Sequence, residues 1–366
     1  MKIGIFGGAF NPPHTGHVQA AKNAAEYHNV DLLIVIPTGN PPHKTFPPGT
    51  PDPSVRLEMT KNAFYGFDKL MISDHEVYSR DNNYTIDTVK KIGQAHPGAE
   101  LLLFVGNDMY DTLDEWKNSE ALLKAVTPVL LPRDLVNISS SEIRAMLPKR
   151  KGREFLTGFN YTLIIKHRFY NAKPEWEWLR EQAHNKLDPQ RIPHVDACET
   201  EAVRLARHWG IDPDDAREAA ILHDITKKLD FSQNMCIIAE HGVSLDKPGL
   251  SEEKLLHSIT GALLAQSFFG VSDEVADAIR WHTTGRAHMS MLEKVIYIAD
   301  YIESTRDFPG VKNLRKVAYK NIDKAMILGL ELTVSDLQAR GISVNIATLE
   351  ALEELSNAPL KGMKNK

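Results

Sequence analysis

The stretch KIGIFGGAFNPPHTGH, residues 2–17, joins an apolar run to a glycine pair and two histidines. Residues 2–6 predict a buried strand and residues 16–28 a helix, so the intervening loop lies at the carboxyl end of the strand. Ligands of open α/β sheets bind at that edge, and Gly7 and Gly8 allow close approach of a ligand to the backbone. The free N–H groups at the start of the helix favour an anion there. This stretch predicts a phosphate site.

His14 and His17 lie one turn apart at the start of that helix. Two imidazoles beside an anion site can donate hydrogen bonds to a phosphate whose charge grows in a transition state. The alternative is a strand–turn–helix in which the histidines only cap the helix. The complete His-x-Gly-His pattern after Gly-Gly-x-Phe favours the functional interpretation.

Two further apolar runs, at residues 32–36 and 100–105, predict buried strands, and residues 84–95 predict a helix between them. This alternation is typical of a doubly wound, Rossmann-like parallel sheet. From about Lys173 the pattern changes to amphipathic helices without a convincing strand. They are predicted near residues 175–186, 194–208, 213–227, 252–268, 272–283, 289–303 and 312–328. We therefore expect an α/β domain over residues 1–173 and an all-α helical bundle over residues 174–366.

The composition agrees with two globular domains. The chain has 366 residues, 42% of them hydrophobic and 25% charged, with a net charge of -5 that argues against a surface for nucleic acid. No apolar run approaches the length of a membrane span. Two cysteines, both expected on buried helix faces, stand against fifteen histidines. A reducing cytoplasm is therefore expected, and histidine and carboxylate would hold any metal.

A second candidate phosphate contact is ISSSEIR, residues 138–144. Its serines can cap a helix, which alone would explain the motif. Arg144, one turn into the helix, would add a forked donor for terminal phosphates. Together with the first motif, this favours a phosphate contact by Ser140 and Arg144.

The second half contains a set of histidines and aspartates on five predicted helices: His194, His223, Asp224, His257, His282 and Asp300. Imidazole with carboxylate and no thiolate suits divalent Fe, Mn or Zn. Asp224 has two oxygens and can bridge two ions, and two ions could activate water and clamp a phosphoryl group. Histidines on helices are usually surface or core residues. The apolar segments before Asp224 and Asp300 favour the metal interpretation, because an unpaired charge there would be costly.

The N-terminal motifs, with NPPHK at 40–44, NNYTIDT at 82–88, VGNDM at 105–109 and FNYTLIIKHRFY at 159–170, resemble bacterial nicotinate-mononucleotide adenylyltransferases of the nucleotidyltransferase superfamily. The resemblance implies transfer of an adenylyl group from ATP to nicotinate mononucleotide, with Mg²⁺ and release of pyrophosphate. It implies catalytic contacts from His14 and His17. The residues it implies for ATP are Gly7, Gly8, Phe10, Ser140 and Arg144, and those for the nicotinate nucleotide are Lys44, Thr85, Asp108 and Trp116.

The C-terminal motifs LLHSITGALLA at 255–265, AIRWHTTGRAHMS at 278–290 and YIADYIESTRDFPGV at 297–311 resemble the HD superfamily of phosphohydrolases, in its YqeK-type subfamily. Its members hydrolyse diadenosine tetraphosphate symmetrically to two ADP at a di-iron centre. The resemblance implies metal ligation by the six residues named above. Asp224 and Lys227 are the candidate catalytic groups. Candidate polyphosphate contacts are Arg306, Thr283, Thr284 and Arg286. The alternative for the basic residues is that they only keep the helix ends solvated, as is common.

A bifunctional enzyme is the preferred hypothesis. The expected partners are ATP, nicotinate mononucleotide and diadenosine tetraphosphate, without nucleic acid or membrane, and a homodimer is left open. The expected cofactors are Mg²⁺ for the first half and a pair of divalent ions, iron or manganese, for the second. The competing hypothesis is that the N-terminal half only binds nucleotide and regulates the hydrolase, because the chain between Trp116 and Ser139 is shorter than is usual in the family. Nicotinamide mononucleotide remains an alternative substrate.

Overall fold

The computed structural model describes residues 1–39, 41, 45–79, 83–131, 138–243 and 253–357. The chain divides into two compact units, Met1–Glu175 and Trp176–Lys366.

The N-terminal unit alternates strands and helices along the chain. Its elements are β1 (Lys2–Gly8), α1 (Thr15–Tyr27), β2 (Leu32–Pro37), α2 (Pro53–Ala63), β3 (Leu70–Ile72), α3 (Thr85–Ala95), β4 (Glu100–Val105), α4 (Asn107–Tyr110), α5 (Ser119–Ala125), β5 (Thr127–Leu130), α6 (Ser140–Met146) and α7 (Gly158–His167). The strands form one parallel sheet in the order β3-β2-β1-β4-β5. The predicted doubly wound sheet is therefore confirmed. The edge strands β3 and β5 were not predicted, because they are short and partly exposed.

Both faces of this sheet are covered, which explains why its central strands are nearly continuous apolar runs after the first residues of β1 and β4. In β2, Leu33 and Val35 pack into one core cluster, which includes the alanines of α1. Ile34 and Ile36 point to the opposite face and pack into a second cluster with residues of α3 and α5. Because successive side chains of a strand point to opposite faces, one apolar run contributes to two core clusters.

The C-terminal unit is helical throughout its described residues. Its helices are α8 (Trp176–His184), α9 (Ile192–Trp209), α10 (Pro213–Leu222), α11 (Phe231–Glu240), α12 (Leu256–Phe269), α13 (Asp273–Arg280), α14 (Met291–Ile302), α15 (Val311–Ala318), α16 (Ile322–Ala339) and α17 (Ile346–Asn357). Helix α14 is buried along most of its length and packs against α9, α13 and α16. The predicted all-α class is confirmed.

Several helix predictions need correction. The predicted helix over 312–328 is two helices, because Asn321 caps a new helix by accepting a hydrogen bond from the Lys324 N–H at 2.9 Å. Helices α11 and α17 were not predicted. Cys198 is buried as expected, but Cys236 is exposed. In the described part of the chain, no helix combines the length and apolar character that crossing a membrane requires.

Candidate active sites

A cavity of about 400 Å³ opens at the carboxyl end of the parallel sheet. This volume is typical of pockets for small ligands. The end of β1 contributes one wall, and the start of α6 contributes another. All residues that the resemblance implies for catalysis and ATP line the cavity, namely Gly7, Gly8, Phe10, His14, His17, Ser140 and Arg144.

His14 and His17 are in contact at the start of α1, with ring centroids 3.7 Å apart and ring planes tilted by 40°. The His14 backbone N–H donates to Nδ1 of His17 at 3.3 Å, which leaves Nε2 of His17 as its N–H donor. Burial lowers the pKa of His14 to about 4, although nearby Glu142 acts to raise it. His14 is therefore neutral at neutral pH. His14 is the N-cap of α1 and forms a reciprocal capping box with His17, so helix capping is part of the role of both histidines. The buried Nδ1 of His14 makes no further hydrogen bond within the described residues.

Ser140 and Arg144 join α6 to the loop before α1. The Ser140 hydroxyl donates to the Pro12 carbonyl at 2.9 Å, and the Arg144 guanidinium donates to the Asn11 carbonyl. Helix capping, the alternative explanation of the motif, is the role of Ser139, whose hydroxyl accepts from the Glu142 N–H at 3.2 Å. Ser140 and Arg144 are thus held at the cavity wall rather than used to cap the helix.

Sequence reasoning missed two buried residues that support the cavity. The Arg56 side chain is fully buried and donates to the carbonyls of Ala9 and Gly39, with the second bond at 3.2 Å. The Tyr170 hydroxyl donates to the side-chain oxygen of Asn11 at 2.6 Å. Neither contact has a local sequence signal, because 47 and 159 residues separate the partners.

The residues predicted for the nicotinate nucleotide are not brought together by a described contact. Lys44 lies outside the described residues, and Asp108 lies in α4. Thr85 is the first residue of α3. Trp116 packs partly buried against the second core cluster, and neither Thr85 nor Trp116 lines the cavity. A nicotinate-nucleotide site on these residues stays a prediction.

The C-terminal unit brings the six predicted metal ligands into one buried cluster. Potential ligand atoms of His194, His223 and Asp224 lie within 4.8 Å of one another. The same holds for the set of Asp224, His257 and His282, and for the set of His223, His282 and Asp300. The two oxygens of Asp224 face different histidines: Oδ2 lies 3.4 Å from Nε2 of His223, and Oδ1 lies 3.4 Å from Nε2 of His257. Asp224 is thereby placed to bridge two ions.

Helix ends position this cluster. The predicted placement of His223, Asp224 and His282 within helices is wrong, since α10 ends at Leu222 and α13 at Arg280. The turns after these helices let the Nδ1 atom of each histidine reach a backbone carbonyl. Nδ1 of His223 lies 2.7 Å from the Ala220 carbonyl, and Nδ1 of His282 lies 2.6 Å from the Ile279 carbonyl. A carbonyl only accepts, so Nδ1 carries the proton and Nε2 faces the centre.

The donor set fits a divalent metal. Three buried atoms of the cluster, Nε2 of His194, Nε2 of His223 and Oδ1 of Asp224, have no hydrogen bond among the described residues. Burial opposes the charged form of His223, but Asp224 raises its pKa. Burial likewise opposes ionisation of Asp224, yet His223 holds the pKa of Asp224 well below its usual range. Burial lowers the pKa of His257 to about 4, which keeps this imidazole neutral. The centre therefore attracts positive charge and offers it nitrogen and oxygen ligands.

Basic side chains adjoin the cluster. The Arg306 guanidinium donates to Oδ1 of Asp300 at 2.6 Å, and Nζ of Lys227 lies 3.0 Å from Nε2 of His257. Sequence reasoning missed Arg191, whose Nε donates to Oδ2 of Asp224 at 2.6 Å. Its position three residues before His194, on the chain entering α9, is a signal that could have identified it.

Of the other predicted polyphosphate residues, Arg286 and Thr284 have partners within the fold. Arg286 pairs with Glu293 at 2.7 Å and with Asp277 at 3.1 Å. The Thr284 hydroxyl donates to the Gly285 carbonyl at 2.9 Å. The Thr283 hydroxyl is buried without a hydrogen bond in the described part of the chain. These contacts indicate a structural role for Arg286, and its contact with polyphosphate stays a prediction.

Glu303 is a further residue that sequence reasoning missed. It is fully buried, and its Oε1 lies 3.0 Å from Nδ1 of His194. This contact does for His194 what the backbone carbonyls do for His223 and His282: it fixes the ring and directs Nε2 toward the other ligands. Its place three residues after Asp300, directly past the end of α14, is the sequence signal that could have found it.

Comparisons with known proteins agree with the two units. Residues 5–146 match the model of the cytidylyltransferase-like family, and residues 191–305 match the model of the HD domain. The N-terminal unit is thus a nucleotidyltransferase-like α/β domain, and the C-terminal unit is a helical HD domain.

Curated relatives divide in the same way. A protein of Shouchella clausii named "Probable nicotinate-nucleotide adenylyltransferase" is 34% identical over 191 residues, covering 48% of this chain and 99% of the relative. A protein of Halalkalibacterium halodurans named "Bis(5'-nucleosyl)-tetraphosphatase, symmetrical" is 37% identical over 170 residues, covering 46% of this chain and 90% of the relative. A protein of Mycoplasma genitalium named "Probable nicotinate-nucleotide adenylyltransferase/Ap4A hydrolase" is 26% identical over 347 residues, covering 90% of this chain and 97% of the relative. The chain belongs to the nicotinate-nucleotide adenylyltransferase family through its N-terminal unit and to the symmetrical bis(5'-nucleosyl)-tetraphosphatase family, with its HD domain, through its C-terminal unit.

Proposed function

We propose that this chain is a bifunctional enzyme whose N-terminal unit makes deamido-NAD from ATP and nicotinate mononucleotide. A phosphate oxygen of the mononucleotide attacks the α-phosphorus of ATP, and pyrophosphate leaves. No covalent enzyme intermediate is needed, so positioning and electrostatic stabilisation supply the rate. His14, His17 and Arg144 line the cavity where the phosphates would bind, and Mg²⁺ would accompany ATP.

The C-terminal unit is proposed to hydrolyse diadenosine tetraphosphate to two ADP. A pair of divalent ions, iron with manganese as an alternative, would be held by the six clustered ligands and would supply an activated water and neutralise phosphate charge. Asp224 is the ligand placed to contact both ions. Arg191, Lys227 and Arg306 then offer positive charge at the rim of the site for the polyphosphate.

The observation that supports both proposed activities is that one relative aligns with nearly the whole chain. The Mycoplasma genitalium protein covers 90% of this chain and carries both activities in its name. The cavity and the metal cluster supply a separate site for each activity. We place the enzyme in the cytoplasm, where ATP is available and thiols stay reduced.

Two assays on the full chain test the proposal. Pyrophosphate release from ATP with nicotinate mononucleotide is measured with Mg²⁺, beside a parallel assay with nicotinamide mononucleotide. Hydrolysis of diadenosine tetraphosphate is measured after anaerobic loading with iron or manganese, and the products are separated. The expected hydrolysis product is ADP alone. Formation of ATP and AMP would contradict symmetrical cleavage, and ATP binding without pyrophosphate release would favour a regulatory N-terminal module.

A further inference from the structure

Tyr170 lies in an unusual turn at the end of the N-terminal unit. The backbone of Arg168, Tyr170 and Asn171 has φ angles of 50°, 60° and 56°, in the left-handed region that residues with a side chain rarely occupy. A bulky aromatic residue adopts this conformation only where surrounding contacts enforce it. The contacts of Tyr170 therefore identify what the turn is built to hold.

Those contacts reach Asn11, which lines the cavity, and Gly49, which lies two residues after the lining residue Pro47. The buried Tyr170 hydroxyl donates to Oδ1 of Asn11 at 2.6 Å, and the Tyr170 backbone N–H donates to the Gly49 carbonyl at 2.9 Å. The amide nitrogen of Asn11 in turn donates to the Thr50 hydroxyl at 3.2 Å. We call these four residues, Asn11, Gly49, Thr50 and Tyr170, the asparagine latch.

The latch holds the segments that line the cavity. Asn11 belongs to the loop that carries His14, and its backbone carbonyl accepts from Arg144, which also lines the cavity. Gly49 and Thr50 follow Thr45, Phe46 and Pro47 of the cavity wall. Tyr170 itself does not line the cavity, so it can affect a nucleotide only through these neighbours.

Gly49 is part of this arrangement. Its φ angle is +77°, and an added Cβ would lie 3.1 Å from the Tyr170 nitrogen. A side chain at position 49 would therefore press on the backbone of Tyr170 and disturb the latch without touching the phenol hydroxyl.

We propose that Tyr170 is a positioning residue for adenylyl transfer: it fixes the loop of Asn11 and the segment before Gly49 so that the phosphate-contacting groups keep their geometry. This inference rests on the function proposed for the N-terminal unit. Tyr170→Phe removes the hydroxyl and keeps the ring. Because small misplacements of catalytic groups are costly, we expect kcat for pyrophosphate release to fall at least about tenfold. Gly49→Ala should lower kcat in the same direction.

The matched control is Tyr161→Phe. Tyr161 is as buried as Tyr170, and its hydroxyl accepts from the Glu175 N–H at 2.7 Å, a residue outside the latch. The control should change kcat less than about twofold if positioning, rather than general loosening, causes the loss in Tyr170→Phe. The thermal unfolding midpoint of the N-terminal unit, followed in the full chain, reports whether each variant is folded, and hydrolysis by the C-terminal unit on the same samples reports the amount of intact chain.

Hydrogen exchange of the full chain gives a second readout that needs no turnover. Peptides spanning residues 8–17 should exchange faster in Tyr170→Phe than in wild type. Their exchange rate in Tyr161→Phe should equal that of wild type. Wild-type exchange and kcat in Tyr170→Phe, or equal losses in both variants, would overturn the inference. If the wild-type chain itself releases no pyrophosphate, the proposed function fails by that result, while the exchange comparison still decides the role of Tyr170.

Discussion

The two units differ in the side chains that form their candidate phosphate sites. The N-terminal site is an open cavity lined by glycines, two histidines and a loop whose carbonyls accept hydrogen bonds from side chains far along the chain. The C-terminal site concentrates buried imidazoles and carboxylates at the ends of helices. The difference follows from the reactions proposed: adenylyl transfer needs orientation of two bound substrates, whereas hydrolysis needs an activated water. Changes in one unit should therefore leave the other activity intact.

The largest effect should come from Asp224→Ala. Removal of the carboxylate that faces both histidine groups should abolish binding of the metal pair and lower hydrolysis by about a thousandfold or more, because one ligand is lost from both ions. Adenylyl transfer should be unchanged. Metal analysis and both assays on one preparation check this. Asp336→Ala, at an exposed site on α16, is the control and should retain metal.

His14→Ala should produce the converse pattern. Loss of a positioned imidazole at the phosphates should lower kcat for adenylyl transfer by about 10²–10³-fold, the effect typical of removing one transition-state donor. Hydrolysis should not change. His28→Ala, at the opposite end of α1, is the matched control. Equal losses in the two variants would show that His14 acts only through the stability of the helix.

Glu303→Gln tests how the metal cluster is oriented. The carboxylate lies against Nδ1 of His194, and loss of such an outer contact typically costs about 10–100-fold in metal affinity. Titration of the metal-free protein with manganese measures this affinity directly. Glu199→Gln is the control, since Glu199 is a buried carboxylate on α9 that pairs with Arg180. Unchanged affinity in Glu303→Gln would refute the orienting role.

The smallest effect concerns pH. Burial lowers the pKa of His14 to about 4, so the unfolded chain binds a proton at a higher pH than the folded chain. Stability should therefore fall as the pH drops below about 6.5, by about 1 kcal/mol between about pH 6 and about pH 5. Denaturant unfolding of wild type and His14→Gln at both values measures this. The variant should lack that part of the pH dependence, and identical slopes would contradict the assignment.

Local sequence patterns were sufficient for residues whose role is set by neighbours along the chain. The apolar run before Gly7 predicts strand β1, and the His-Asp pair at 223–224 predicts the cluster of metal ligands. Residues that act through partners far along the chain gave no such signal. Tyr170 meets Asn11 across 159 residues of chain, and Arg56 meets Ala9 across 47. The ends of α10 and α13 were missed because helical periodicity does not mark where a histidine must leave the helix to reach a carbonyl.

Chelation and reloading of a single preparation tests the central claim most directly. The full chain is stripped of transition metals, and pyrophosphate release and ADP formation from diadenosine tetraphosphate are followed before and after anaerobic addition of iron or manganese, with Mg²⁺ present throughout. Two independent sites predict adenylyl transfer at an unchanged rate in all samples and hydrolysis only after reloading. Loss of both activities on chelation, or hydrolysis that persists without the added metals, would contradict the account.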